Sequence, residues 1–193
     1  MNILGIIASS KLTAAAGDFQ SIATTTVGSG GTSEITFSSI PAGYTHLQIR
    51  GIVRTARTTF SNDGIKLQFN SDTGTNYSRH QLTGDSSGGL DSGGAANSDY
   101  MFTQVAGNGA IANAFGVCII DILDYADTNK YKTVKFLSGI DNNSTSNQQT
   151  GFASLSTGSW RNTNAITSLK LFGFSGNLLQ YTSLALYGIK VAA

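Results

Sequence analysis

The chain has 193 residues, 12 of them Lys or Arg and 11 Asp or Glu, for a formal net charge of +1; so few and so scattered basic residues leave no electrostatic footprint for nucleic acid. A lone cysteine, Cys118, excludes an internal disulfide and a zinc site built from thiolates, and fits synthesis in a reducing compartment. With 23 Gly, one Pro and 40% apolar residues, the composition excludes disorder and points to one all-β domain of short strands joined by glycine turns.

The first element is the apolar run Ile3–Ala8 in "MNILGIIASSKL". Met1 and Asn2 supply no basic n-region, Lys11 lies on the wrong side, and the run falls short of the roughly 7–15 apolar residues of a secretion signal. No stretch approaches the roughly 20 apolar residues of a membrane-spanning helix, so neither export by this route nor a membrane partner is expected. Residues 1–17 read instead as an extended docking arm, with "TAAAG" as its joint and Ile3, Leu4, Ile6 and Ile7 buried against a partner. The alternative is an edge strand added to the chain's own sheet. The domain proper then occupies 18–193.

"SIATTTVGSGGTSEITFSSI" predicts two strands, Ser21–Val27 and Glu34–Ile40, paired as a hairpin through Gly28–Gly31. "YTHLQIRGIVR" and "GIKLQFN" alternate apolar and polar residues with a period of two, the signature of strands with one dry face and one wet face. "NYSRHQL" is a more polar strand. The segment "TGDSSGGLDSGGAAN" has almost nothing to bury and reads as an exposed, mobile loop from Thr83 to Asn97. "DYMFTQVA" resumes the strands, and "AFGVCIIDILDY", the most continuously apolar run, is expected at the centre of a sheet and covered on both faces. "YKTVKFLSGI", "GFASLST", "AITSLKLFGF" and "QYTSLALYGIKV" complete roughly eight to ten strands at turn spacings typical of sandwiches and barrels. The expected fold is an antiparallel, jelly-roll-like β-sandwich with an extended N-terminal arm.

The candidate chemistry is sparse. Gly84–Gly88 matches the G-x-S-x-G pattern around Ser86, but a nucleophile elbow needs a helix after it and the sequence continues as "LDSGGAAN". The only bases of the right type are His46 and His80, the latter on a polar strand, so no catalytic residue is assigned. Asp121, Asp124 and Asp127 are three apart, which in extended backbone puts Asp124 opposite the others unless the strand ends there. Asn70, Asp72 and Asn76 faintly follow a calcium loop, but position 12 is Gln81 rather than Glu, which favours plain Asx turns. No metal or cofactor is expected. Cys118 reads as a small core residue. Trp160, in the polar stretch "GSWRNTN" beside Arg161 and Asn162, is the candidate glycan contact, since an aromatic face beside hydrogen-bonding groups suits a sugar ring. The favoured reading is the plainer one, in which the same Trp plugs one end of the sandwich or packs at a subunit contact, because large aromatics dominate cores and interfaces.

Taken together, "SIATTTVGSGGTSEITFSSIPAGYTHLQIRGIVRT", "LQFNSDTGTNYSRHQL", "DILDYADTNKYKTVKFLSGIDNN" and "YTSLALYGIK" resemble a family of short virion structural proteins of tailed bacteriophages and cyanophages. The resemblance implies a place in a particle, as a head-decoration or cement protein or a tail-fibre or neck component, and carries no catalytic residues. It implies partners among other capsid or tail subunits, a homo-oligomer with three-fold symmetry favoured, and a virion location after synthesis in the host cytoplasm. Its runner-up is a receptor-binding adhesin that recognises host-surface glycans.

Overall fold

A computed structural model describes residues 18–144 and 150–191 of the chain. The docking residues Ile3, Leu4, Ile6 and Ile7 therefore lie outside the described residues. Twelve strands form among those described: β1 (Phe19–Thr26), β2 (Glu34–Phe37), β3 (His46–Val53), β4 (Asn62–Phe69), β5 (Tyr77–Asp85), β6 (Leu90–Ser98), β7 (Met101–Ala106), β8 (Gly116–Leu123), β9 (Lys132–Ile140), β10 (Phe152–Trp160), β11 (Leu169–Gly173) and β12 (Ser183–Ile189). They build the expected antiparallel sandwich from two unequal sheets. The large sheet has eight strands in the order β1-β12-β3-β8-β9-β10-β5-β6, and the small sheet has four in the order β2-β11-β4-β7.

Alternation explains the packing. Leu47 and Ile49 of β3, Cys118, Ile120 and Ile122 of β8, Val134 and Phe136 of β9 and Leu184 and Leu186 of β12 all point inward from the large sheet. They meet Ile35 and Phe37 of β2, Ile65, Leu67 and Phe69 of β4, Met101 and Val105 of β7 and Leu171 of β11. Towards β10 and β5 the interior turns polar, and the hydroxyls satisfy one another: Thr103 Oγ1 lies 2.9 Å from Ser138 Oγ, and Thr83 donates to Ser154 Oγ at 2.9 Å. Gly158 of β10 leaves the space that the Met101 side chain enters, because an added Cβ would stand 2.6 Å from its sulfur.

Three expectations are corrected. The segments over β1 and β2 do not form a hairpin: β1 pairs with β12 in the large sheet and β2 with β11 in the small one, so the Gly28–Gly31 turn carries the chain from one sheet to the other. The Thr83–Asn97 segment is not a loop but the end of β5, a turn and β6, an edge strand that pairs with β5 from Tyr77↔Ser98 to Gly84↔Leu90. Its small side chains are nearly all exposed; the ladder of backbone hydrogen bonds holds it without burial, which is why hydrophobic periodicity missed it. Strand β8 is central, as expected, yet is covered on one face only, since the outward side chains Val117 and Leu123 stay exposed.

Two cations are spent on closing loops. Lys132 is fully buried, and its ammonium donates to the carbonyls of Asp127 (2.5 Å), Lys130 (2.9 Å) and Thr163 (3.1 Å). Arg54 does the same at the other end, with Nη1 donating to Ile111 and Ala114 and Nη2 to Ala110. Each saturates its fork or its three protons with main-chain oxygen, which is what a charge needs to sit inside a protein.

Candidate functional site

The candidate glycan contacts do not form a site. Trp160 is 1% exposed; its ring packs 5.6 Å edge-on from Phe69 of the small sheet and 6.4 Å, stacked, from Tyr77 of the large one. Its indole N–H donates to Asp72 Oδ2 at 2.7 Å, so the polar handle is spent and no face is left for a sugar. The plug is what the structure shows. Arg161 ties the β4–β5 turn to the end of β6 by donating to Thr75 O (2.7 Å) and Asn97 Oδ1 (2.8 Å), and Asn162 accepts from the backbone of Asn164. A polar neighbourhood in sequence hid the Trp because the strand β10 ends at that residue and its inward side is the last buried position.

The remaining constellations are also structural. Asp72 accepts from Gly74 N, Asn76 Nδ2 and Trp160 Nε1, while Asn70 Oδ1 accepts from Thr167 N and Ser168 N, so this turn gives its oxygens to protein donors. Burial pushes the Asp72 carboxyl up, but those hydrogen bonds outweigh it and hold the group below its ordinary range. Strand β8 ends at Leu123, and Asp124 and Asp127 then converge on Lys130 at 2.7 and 3.3 Å. Asp124 also faces His46 Nδ1 at 3.5 Å. Ser86 caps a turn, donating to Ser144 O and accepting from Gly151 N, and a strand rather than a helix follows it. Cys118 is fully buried, and burial pushes its thiol up to about 12, which keeps it protonated and inert. Among the described residues no three His, Cys, Asp or Glu side chains gather as a metal site.

What the structure does assemble is the outer face of the large sheet. Cross-strand register places Leu82, Leu155, Leu137 and Ile119 side by side on β5, β10, β9 and β8. The neighbouring row runs Leu90, Gly84, Ala153, Gly139, Val117 and Ile52 from β6 to β3. Six of these are large aliphatic side chains left open, from Ile52 at 44% to Leu90 at 83% exposed. On the other side of the leucine row the register turns polar through His80, Thr157, Lys135, Asp121 and Gln48. Lys135 Nζ reaches Asp121 Oδ2 at 2.8 Å. Burial would raise the Asp121 carboxyl, but hydrogen bonds from Gln48 and Lys135 prevail and keep it below its ordinary range, hence ionised.

Contiguous aliphatic side chains with a polar border are the anatomy of a contact surface. Side chains that are already half covered would each contribute roughly 1 kcal/mol on full burial, before association costs. The signal was present in the sequence, as Leu82, Val117, Leu137 and Leu155 at alternate positions opposite the core. It could not be read there, because only the register shows that they adjoin. No protein-family model matches the chain, and no curated protein matches it in sequence.

Proposed function

We propose that the chain is a non-enzymatic structural subunit of a bacteriophage virion, an accessory displayed on the particle as a decoration or cement protein or as a tail or neck component. The observation that carries this reading is the aliphatic outer face of the large sheet. Monomeric proteins seldom leave a contiguous apolar patch larger than a few hundred Å² open to water. We assign a second copy of the same chain to that face. A surface that meets its own copy must not repel it, and here the acid and base beside the patch, Asp121 and Lys135, neutralise each other. The family resemblance of the sequence supports the particle, and residues 1–17, with Ile3, Leu4, Ile6 and Ile7, supply the attachment to neighbouring capsid or tail subunits.

Two measurements test this. Sedimentation of the full chain should show a homo-oligomer that Leu137→Lys with Leu155→Lys converts to a folded monomer; a parent chain that stays monomeric, or a double variant that stays oligomeric, overturns the face. Mass spectrometry of purified particles should find the chain, and a variant lacking residues 1–12 should fold but fail to join them. A chain present in the infected lysate and absent from particles overturns the virion assignment.

A further inference from the structure

The outer face of the small sheet is built differently. Phe102 of β7, Lys66 of β4 and Phe172 of β11 are successive register partners on it. Lys66 Nζ lies 4.5 Å from the ring centroid of Phe174, 4.6 Å from that of Tyr100 and 5.4 Å from that of Phe172. From β5 of the large sheet the Arg79 guanidinium reaches over the same shelf, 4.7 Å from Tyr100 and 5.4 Å from Phe102. Two cations thus share one tyrosine ring.

The rings are fixed in place. Phe102 lies so close over Gly64 that a Cβ there would fall 1.8 Å from the ring, and the N–H of Phe174 donates to Gly64 O at 2.8 Å. Phe174 meets Phe102 edge-on at 5.7 Å and Tyr100 edge-on at 6.3 Å, and remains 47% exposed. The charges are uncompensated. Lys130, Lys135 and Lys170 pair with carboxylates, and Arg54 and Lys132 with carbonyls. Among the described residues neither Lys66 nor Arg79 is in an ion pair. Aromatic quadrupoles hold both cations at the surface without neutralising them, which leaves an anion to do so.

We propose that this shelf binds an acidic saccharide, a sugar chain bearing carboxylate or sulfate groups. The C–H faces of its rings lie on Phe174 and Phe172, and its anionic groups pair with Lys66 and Arg79. A neutral sugar would gain the stacking and leave both charges unmatched. A single-stranded nucleic acid would also stack, but it needs a groove of cations tracking several phosphates, and this chain has a net charge of +1. The shelf is on the opposite side of the sandwich from the aliphatic face, so this inference does not depend on the assembly proposal.

The test is affinity electrophoresis of the full chain through gels that contain polygalacturonate, dextran sulfate or uncharged dextran. Retardation is expected in one or both acidic gels and not in dextran, and the acidic gel that retards names the anion. Lys66→Gln, Arg79→Gln and Phe174→Ala should each weaken it about fivefold, the ratio that corresponds to about 1 kcal/mol for such contacts. Lys66→Arg should retain it, and Lys190→Gln, just past β12 and far along the large sheet from β5, should leave it unchanged. The proposal is overturned by equal retardation in dextran, by no retardation in either acidic gel, by an equal loss in Lys190→Gln, or by tighter binding of an oligothymidylate through the same residues. Circular dichroism checks folding; if Lys66→Gln fails to fold, Arg79→Gln and Phe174→Ala decide the matter.

Discussion

The two sheets share one core and the same alternation, but their outer faces have opposite characters. The large sheet turns Leu82, Leu137, Leu155, Val117 and Ile52 outward, with Lys135 and Asp121 paired beside them and Arg50, the register partner of Ile119, hydrogen-bonded to Gln48. The small sheet turns Phe102, Phe172 and Lys66 outward, with Arg79 leaning in and neither cation in an ion pair among the described residues. Aliphatic side chains gain only by losing water, which requires another flat surface of similar size. Aromatic rings with cations gain from a ligand that stays partly hydrated, because the quadrupole and the charge act on specific groups. One sandwich can therefore present an assembly face and a recognition face back to back, without either compromising the core.

That contrast presupposes that the sheets are joined into one body, and the largest effect is expected where they are. Trp160 of the large sheet packs on Phe69 of the small one, so Trp160→Ala should cost about 3–5 kcal/mol in urea unfolding. A loss below about 1 kcal/mol would mean that the two faces are carried by separable sheets. Next come two glycine substitutions, one on each face. On the small sheet Gly64→Ala drives a methyl into the Phe102 ring and should cost about 1–3 kcal/mol while dismantling the shelf. On the large sheet the added methyl of Gly84→Ala meets Leu90 Cδ2 at 3.6 Å, ordinary contact, and stability should change by less than about 0.5 kcal/mol. Equal costs for the two would erase the distinction between a built shelf and an open face. Leu137→Lys sharpens it further: folding stability should again move by less than about 0.5 kcal/mol, while the sedimentation of the oligomer changes.

Much of this architecture is legible in the sequence wherever one face is wet and the other dry. Strands β3 and β4 announce themselves by alternation and β8 by its continuous apolar run, and Cys118 reads correctly as core. Pairing is another matter. The β1 and β2 segments are separated by a glycine turn that would suit a hairpin, yet Ile35 and Phe37 are buried against β11 and its neighbours, so tertiary burial decides against the local partner. Strand β6 has no hydrophobic pattern, because its order comes from main-chain hydrogen bonds that every sequence can make. The site failed for a related reason. Trp160 sits among polar residues in sequence and among aromatic ones in space, and the row Leu82, Leu155, Leu137 and Ile119 draws on four strands whose adjacency only the register shows.

The smallest expected effect lies in the connection from β4 to β5, where the chain passes from the small sheet to the large one. Asp72 in that turn receives the Trp160 indole proton, and its carboxyl is held below the ordinary range by the hydrogen bonds from Trp160, Asn76 and Gly74, against the opposing effect of burial. A carboxyl with a depressed folded-state pKa binds its proton more weakly in the folded chain than in the unfolded one. Its stabilisation is complete above the unfolded value near 3.9 and fades as pH falls through the lower folded value. Acid should thus loosen the joint as pH falls through that lower folded value. The one Trp of the chain reports on it directly: its emission should shift to longer wavelength on acidification below about pH 4. In Asp72→Asn, which keeps an acceptor but cannot be protonated in this range, that shift should flatten while neutral-pH stability falls slightly. An Asp72→Asn protein with the parent's acid transition would place the pH-sensitive tie between the sheets elsewhere.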